Sequence, residues 1–154
     1  QIIILLSFLL FNFPRAKIFL GDSGAYMFGA LTSLNTIITN NLNPKISSFF
    51  FCTLLFYLFF EVFFSFFRKL TQKKSPIYPD DKHLHMLSFY KISRIYGKNK
   101  GNYLNSIFIN LLYLALIIPG LYLLNDPQLS RHWFFILLLV YLVIYSRLYR
   151  LTKN

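Results

Sequence analysis

Residues able to bind a phosphate or a metal lie close together near the middle of the chain. Asp80, His83 and His85 fall within the proline-containing segment 75–85, and Arg68 precedes it. The prolines favour an extended or turning backbone, in which side chains two positions apart project from the same side. A His-x-His pair could bind a metal, a phosphate or a nucleobase, and two ligands alone do not decide between them. In an isolated basic loop, a structural role is the simpler interpretation.

A second candidate carboxylate, Asp22, stands between two glycines where a polar stretch gives way to an apolar one. Glycine lets a ligand approach the backbone closely, and a carboxylate at a membrane surface is a hard oxygen ligand suited to Mg²⁺. An aspartate at this position could equally cap the helix that follows it. Position alone favours neither role.

Glu61 is the only acidic residue inside a predicted membrane span. It precedes Arg68 by seven residues, which is two helical turns, so the two side chains share one face and Glu61 lies toward the cytoplasmic side. A carboxylate within a membrane is costly and faces the protein interior or a polar cavity. We expect a structural pairing, with arginine or with polar groups on a helix missing from this chain, and a place in the wall of the active-site cavity is the alternative.

The elements that must position these residues are membrane helices. The chain is 56% hydrophobic, 20% aromatic and only 14% charged, which is outside the range of soluble domains. Crossing the bilayer takes about 20 mainly apolar residues. Four stretches approach or meet that length, and a fifth is half as long, namely 24–40, 47–67, 104–124, 133–149 and 2–11. The sequence therefore predicts an all-α, polytopic transmembrane helix bundle with about four full spans and one truncated N-terminal span.

The ends and the single cysteine add two expectations. The chain opens on Gln1 and runs directly into an apolar stretch, so we interpret its N-terminus as a truncation. Cys52 has no partner cysteine, which excludes a disulfide framework or a cysteine metal site, and it is expected to be a small packing residue.

Basic residues alternate between the connecting segments. Lys and Arg number two, one, nine, one and three in the segments 12–23, 41–46, 68–103, 125–132 and the C-terminal tail. Because cytoplasmic loops retain positive charge, this pattern places 12–23, 68–103 and the C-terminus in the cytoplasm.

The large loop has a net charge of +7, since Asp80 and Asp81 oppose its nine basic residues. Such a field attracts both diphosphate substrates and anionic lipid headgroups, and charge alone favours the lipid. Apolar residues within the loop could form one side of a short interfacial helix; they are Leu84, Leu87, Phe89, Ile92 and Ile95.

Three segments resemble one family in the same order, the polyprenyl-phosphate N-acetylhexosamine-1-phosphate transferases of glycosyltransferase family 4. Residues 13–29 are similar to its Pro-Ala-Lys-Ile-Phe-Leu-Gly-Asp segment, 61–68 to its acidic residue followed by arginines, and 75–85 to its Ser-Pro, Pro-Asp, His-Leu-His loop. The resemblance covers most of residues 12–90. The sequence departs from the pattern at three positions, Ala25 for Ser, Asp81 for Arg and Met86 for a third His.

The resemblance implies that residues 1–154 are the C-terminal part of an integral membrane transferase of the bacterial plasma membrane. Such enzymes transfer a sugar-1-phosphate from a UDP-sugar to undecaprenyl or another polyprenyl phosphate at the cytoplasmic face, releasing UMP, for cell-wall or surface polysaccharide synthesis. Mg²⁺ is the implied cofactor, with Mn²⁺ as a substitute. The implied partners are the UDP-sugar, the lipid and the membrane, without nucleic acid, and a homodimer is left open.

The same resemblance assigns roles to seven residues. The catalytic residues are Asp22, which is also the metal ligand, His83 and His85; the substrate-binding residues are Arg68, Asp80, Lys17 and Glu61. The family's upstream Asp-Asp and Asn/Asp-Gly motifs are absent, so we expect this chain alone to be inactive.

Two other function classes compete with the enzyme. One is a non-catalytic membrane anchor whose basic loop binds anionic lipid or a cytosolic partner, in which case the three segments are inherited scaffold. The other is a transporter or channel fragment, which rests only on Glu61, Asn35 and Asn110 within spans and ranks last. Acidic motifs encoded upstream, or their loss, would separate the enzyme from the anchor.

Overall fold

The computed structural model describes residues 2–13 and 17–153, and all the regular structure in these ranges is helical. Arg15, counted above among the basic residues of 12–23, lies outside the described residues, as does Gln1. The helices are α1 (Ile2–Asn12), α2 (Gly21–Leu42), α3 (Ser48–Leu54), α4 (Phe56–Thr71), α5 (Leu84–Tyr96), α6 (Lys98–Tyr122) and α7 (Pro127–Lys153). The chain divides into two units, Gln1–Pro44 and Lys45–Asn154.

The first unit contains α1 and α2, and neither helix has a buried residue in the described structure. α1 is almost wholly apolar, whereas α2 carries hydroxyl and amide side chains along its length. Some of these bond within the helix: Ser33 Oγ donates to the Gly29 carbonyl at 2.9 Å, and Thr36 Oγ1 donates to the Thr32 carbonyl at 2.8 Å. Such bonds reduce the cost of placing hydroxyls in an apolar setting.

The core of the second unit joins α4, α5 and α7. It consists of Phe56, Leu84, Leu87, Leu137, Tyr141 and Tyr145. Edge-to-face rings connect the helices, with centroids 5.0 Å apart between Phe60 and Tyr141 and 4.6 Å apart between Phe64 and Tyr145. α5 thus packs into the protein through Leu84 and Leu87, while Ile95, expected on the same apolar side, is 69% exposed.

The described helices include two that are long and apolar enough to cross a membrane, α6 and α7. They extend beyond the predicted spans 104–124 and 133–149. The predicted span 47–67 is interrupted, because α3 and α4 meet at Leu55 with a bend of 73° and form either one broken span or a re-entrant pair. α2 is long enough to cross a membrane but is too polar to count as one of these candidate spans. The count of four spans and a truncated fifth stays a prediction.

The break between α3 and α4 has a side chain to support it. The Tyr113 hydroxyl on α6 donates to the carbonyl of Leu54, at the end of α3. A bend frees backbone groups that must find partners in an apolar environment. A tyrosine on the neighbouring helix supplies one.

The short helix expected within segment 68–103 is present as α5, and the segment turns back on itself at Gly97, whose φ of 78° disfavours other residues. α5 then lies against the first turns of α6. A Cβ built on Gly101 would lie 2.9 Å from the Ser93 Cα, so the two backbones are in close contact. Farther along, the Asn105 amide donates to the His85 carbonyl at 2.9 Å and accepts from Ser88 Oγ at 2.6 Å. These contacts fix the helix that begins at the histidine pair.

Candidate active site

One face of α4 carries the polar residues of the site. Four side chains on it are buried, and their spacing follows the helical repeat: Glu61, Ser65, Arg68 and Lys69. The shared face expected for Glu61 and Arg68 is therefore confirmed. The rest of α4 exposes Val62, Phe63, Phe66, Phe67 and Leu70, as expected for a helix that faces lipid.

Arg68 and Asp80 form an ion pair. Nη2 of Arg68 lies 2.8 Å from Oδ2 and 3.1 Å from Oδ1 of Asp80, and it also donates to Ser65 Oγ at 3.1 Å. The Lys82 amide donates to Oδ1 of Asp80 at 3.0 Å. Burial raises the pKa of the Asp80 carboxyl, but the Lys82 amide and the Arg68 guanidinium outweigh it and hold the pKa below its ordinary value.

Lys69 holds the proline segment in place. Its Nζ donates to the Tyr78 carbonyl at 2.6 Å and to the Pro76 carbonyl at 3.2 Å. Although lysine is rarely buried, Lys69 is only 7% exposed, and the two carbonyls satisfy two of its three donors. The consecutive basic residues Arg68 and Lys69 thus shape the segment that leads to the histidines.

Glu61 receives His83 and the start of α5. Its Oε1 lies 3.0 Å from Nδ1 of His83 and accepts from the Leu84 amide at 2.9 Å, while its Oε2 accepts from the Tyr141 hydroxyl. His83 is the N-cap residue, with an extended backbone and no side-chain cap bond of its own. Glu61 is therefore in a structural pairing, as expected, but its partners are His83 and polar groups of α5 and α7 instead of an arginine or a missing helix.

His85 lies in the first turn of α5, and its ring stacks on that of His83 with centroids 5.7 Å apart. The same-side arrangement predicted for the pair is therefore present, although only His83 is extended. Partial burial lowers the pKa of His85, Glu61 raises it and His83 lowers it again, so the pKa is below its ordinary value. The ring borders a 280 Å³ cavity, which is otherwise lined by Tyr57, Asn102, Asn105, Ser106, Ile109 and Asn110.

The last helix contributes residues that motif comparison missed. The Tyr141 hydroxyl bonds Glu61, and the Tyr145 hydroxyl donates to the Lys82 carbonyl at 3.0 Å. Their rings stack in sequence with Tyr149. A signal was available: tyrosines at every fourth position place three polar tips on one face of an otherwise apolar helix. Asn105 gave a weaker signal, as one of several asparagines on α6.

Asp22 and Lys17 belong to the first unit and are exposed. The capping role considered for Asp22 is wrong in detail, because the N-cap of α2 is Leu20 and Asp22 lies inside the first turn. There its charge still complements the helix dipole. Gly21 has a φ of 71°, a conformation that favours glycine. A site shared by Asp22 and the histidines stays a prediction.

The described residues contain no group of three or more His, Cys, Asp or Glu side chains arranged to hold a metal. Mg²⁺ is usually held by one or two carboxylates together with water and substrate phosphates. Asp22 fits the place of one such carboxylate, because it is exposed and follows a glycine that leaves its backbone open. Further ligands would have to come from the substrate or from other residues.

The fold and site define a helical membrane protein in which polar groups of α4, α5 and α7 converge on a histidine pair. The family model for glycosyl transferase family 4 matches residues 1–40. An undecaprenyl-phosphate alpha-N-acetylglucosaminyl 1-phosphate transferase of Thermotoga maritima is 33% identical over 138 residues, which is 90% of this chain and 40% of that relative. No solved structure matches.

The chain belongs to glycosyl transferase family 4, and it spans about 40% of the length of the relative it matches. The alignment of 138 residues is longer than the stretch 12–90 that carried the resemblance. It therefore reaches α6 and α7, where motifs gave no guidance.

Proposed function

We propose that the chain forms part of a sugar-1-phosphate transferase acting on undecaprenyl phosphate or a related polyprenyl phosphate. The donor is a UDP-sugar, with N-acetylhexosamine-1-phosphate as the transferred group and UMP as the product, for cell-wall or surface polysaccharide synthesis. The observation that carries the proposal is the histidine pair held against Glu61 and beside the Arg68–Asp80 pair, in a chain that is 33% identical to an enzyme named for this reaction.

The electrostatics of the second unit suit a diphosphate donor. Segment 68–103 has a net charge of +7 and concentrates anionic substrates near the site. A ring nitrogen of His85, whose pKa is below its ordinary value, can accept a hydrogen bond or a proton at neutral pH. Positive groups around the transferring phosphoryl oxygens stabilise the charge that develops there.

Asp22 is proposed as the Mg²⁺ ligand and Lys17 as a substrate-binding residue. Mg²⁺, once bound, would neutralise charge on the diphosphate of the donor. Both residues are exposed at or before the start of α2, so they are accessible to a soluble nucleotide. Segments 12–23 and 68–103 and the C-terminus are proposed to face the cytoplasm, where such a donor would be available.

Arg68 and Asp80 are proposed to serve the reaction through their pairing. Because they bind each other, their first effect is to fix the segment that carries the histidines. Within the described structure, Nε and Nη1 of Arg68 are buried and have no hydrogen-bond partner. Because both donors are enclosed, a substrate phosphate could reach them only if the surrounding side chains moved apart.

The proposal can be tested by assaying the complete gene product that carries this chain. Purified protein would be given a labelled UDP-N-acetylhexosamine, undecaprenyl phosphate and Mg²⁺, and lipid-linked sugar phosphate would be measured. Asp22→Ala and His83→Ala should each lose about 100-fold or more in rate, since each removes a group acting on the reacting phosphates. His132→Ala is the control, because His132 is an exposed histidine at the start of α7, away from the site.

Residues 1–154 alone should show no transfer in the same assay. Full activity in both the Asp22 and the His83 variants would overturn the site assignment. Absence of transfer from the complete gene product with any UDP-sugar would overturn the function and favour the non-catalytic anchor.

A further inference from the structure

The Glu61 carboxylate is enclosed by the protein and bonded at both of its oxygens. It is only 8% exposed, and donors from two other helices meet both of its oxygens, the Leu84 amide at Oε1 and the Tyr141 hydroxyl at Oε2. An ionised carboxylate only accepts hydrogen bonds, and this arrangement supplies it with donors. A substrate could reach Glu61 only by displacing one of these contacts. The position therefore suits a group that acts through a neighbour.

That neighbour is His83, whose Nδ1 lies 3.0 Å from Oε1. An ionised Glu61 carboxylate only accepts, so this contact assigns the hydrogen to Nδ1 of His83 and leaves Nε2 as the nitrogen able to accept a hydrogen bond. Nε2 lies 3.9 Å from Oδ1 of Asp80, which is too far for a hydrogen bond. The His83 ring is thus held at Nδ1, and its Nε2 is available to a substrate.

Two further contacts make this arrangement rigid. The bond from the Leu84 amide places the Glu61 charge at the N-terminus of α5, where the helix dipole stabilises it. Tyr141 is itself held between aromatic rings of α4, with centroid distances of 5.0 Å to Phe60 and 5.4 Å to Phe64. The Glu61 carboxylate of α4 thereby links the Leu84 amide of α5 to the Tyr141 hydroxyl of α7.

We propose that Glu61 is a positioning residue for His83 and does not bind substrate, and that Tyr141 supports it. The carboxylate fixes the Nδ1–H tautomer of His83, presents Nε2 to the site and anchors the start of α5. This inference rests on the proposed function, because it gives His83 a task in phosphoryl transfer. It replaces the substrate-binding role that the family resemblance implied for Glu61.

The kinetic test uses the complete gene product with Glu61→Gln and Tyr141→Phe. Glu61→Gln should lower kcat about 10- to 100-fold and change KM for the UDP-sugar less than about threefold, since orientation is lost and binding is not. Tyr141→Phe should lower kcat about 3- to 10-fold. Tyr122→Phe is the hydroxyl control, because Tyr122 is 85% exposed at the end of α6, and it should leave both constants unchanged.

The second readout is the tautomer itself, measured by nitrogen-15 NMR of histidine-labelled protein, with the His83 signals assigned from a His83→Gln variant. The unsubstituted protein should show hydrogen on Nδ1 of neutral His83, and Glu61→Gln should show the Nε2–H form, because the amide of glutamine can donate to Nδ1. A purely structural Glu61 would leave the tautomer unchanged.

Either of two results would overturn the inference. One is a Glu61→Gln variant with raised KM and normal kcat, which is the behaviour of a substrate ligand. The other is an Nε2–H tautomer in the unsubstituted protein. If the unsubstituted protein transfers no sugar phosphate, the proposed function fails, yet the NMR measurement still decides the positioning. If Glu61→Gln does not fold, the milder Tyr141→Phe variant supplies the kinetic result.

Discussion

Nη2 of Arg68 lies 2.8 Å from Oδ2 of Asp80, so two residues that the sequence assigned to the substrate are bound to each other. The pair closes a loop of the chain between the end of α4 and the residues just before His83. Both side chains are largely buried, at 8% and 18% exposure. Removing one partner therefore leaves a charge with little access to water.

Asp80→Asn should destabilise the protein by about 3 kcal/mol, because Arg68 would lose its counter-charge within the protein. The measurement is unfolding in detergent micelles, followed by loss of helical signal. Asp81→Asn is the matched control: Asp81 is exposed, and its Oδ2 accepts only a long bond of 3.3 Å from Tyr90, so about 0.5 kcal/mol or less is expected. In a double-mutant cycle, Asp80→Asn should cost much less in an Arg68→Met background. Equal effects at Asp80 and Asp81 would contradict the pairing.

The stabilisation that the Asp80 charge gives to the folded protein should be lost at low pH and should not change at higher pH. Its pKa in the folded protein lies below the ordinary 3.8, so the stabilisation is complete above that value and is lost as pH falls through the folded pKa. The coupling between Arg68 and Asp80 should therefore be constant from pH 5 to pH 8 and decline only below pH 3.8. A coupling that already weakened between pH 6 and pH 5 would show that the carboxyl is not held in its charged form.

Lys69→Met should release the proline segment. The substitution keeps an apolar stem and removes both bonds to the Pro76 and Tyr78 carbonyls. Tyr78 is 73% exposed, and cleavage of the segment by subtilisin, a protease of broad specificity, should become at least several-fold faster when the backbone is free to adapt to the protease. Lys74→Met, at an exposed lysine of the same segment, should cleave at the original rate. Equal rates for the two variants would contradict the anchoring role of Lys69.

The helical class and the residues of the histidine segment could be predicted from sequence because each depends on local pattern. Apolar length indicates membrane helices, and the seven-residue spacing placed Glu61 and Arg68 on one face. The break at Leu55 could not be predicted, because an uninterrupted apolar run has no proline or glycine there and the partner of the freed carbonyl is Tyr113, about sixty residues away.

The partners within the site were harder to infer for the same reason. Arg68 could pair with Glu61 on its own helix or with Asp80, and spacing does not show that Glu61 turns toward α5 and α7. The tyrosines at every fourth position of α7 indicate a polar edge on that helix, but not that Tyr141 meets Glu61. Such choices depend on three-dimensional packing, which a periodicity argument does not contain.

His85 should titrate below pH 6.5, its ordinary value, because partial burial opposes the charged ring. Glu61→Gln should lower the pKa of His85 further, since Glu61 raises it, and His83→Gln should raise it, since His83 lowers it. Histidine ring signals followed by NMR from pH 4 to pH 8 would give all three values. An unchanged pKa in both variants would show that the three side chains are not close enough to interact.

Gly101→Ala should be strongly destabilising, although alanine is the better helix former. A Cβ at this position would lie 2.4 Å from Ser93 Oγ and 2.9 Å from the Ser93 Cα, so relief requires the backbones of α5 and α6 to move apart. Gly29 offers a matched control, since it also lies in a helix and a Cβ there meets nothing within 4 Å. Gly29→Ala should therefore be neutral or stabilise by up to about 1 kcal/mol.

Gly101→Ala and Gly29→Ala should change the stability of the protein in different ways, which separates the effect of packing from that of helix propensity. Ser93→Ala should restore Gly101→Ala only in part, because it removes the contact at 2.4 Å and leaves the one to the Ser93 Cα. Since α5 begins at the histidine pair, Gly101→Ala should also lower the transfer rate of the complete gene product. Gly29→Ala should not lower the stability of the protein. A fully stable Gly101→Ala variant would contradict the close contact of α5 with α6, on which the placement of His85 beside the asparagine-lined cavity depends.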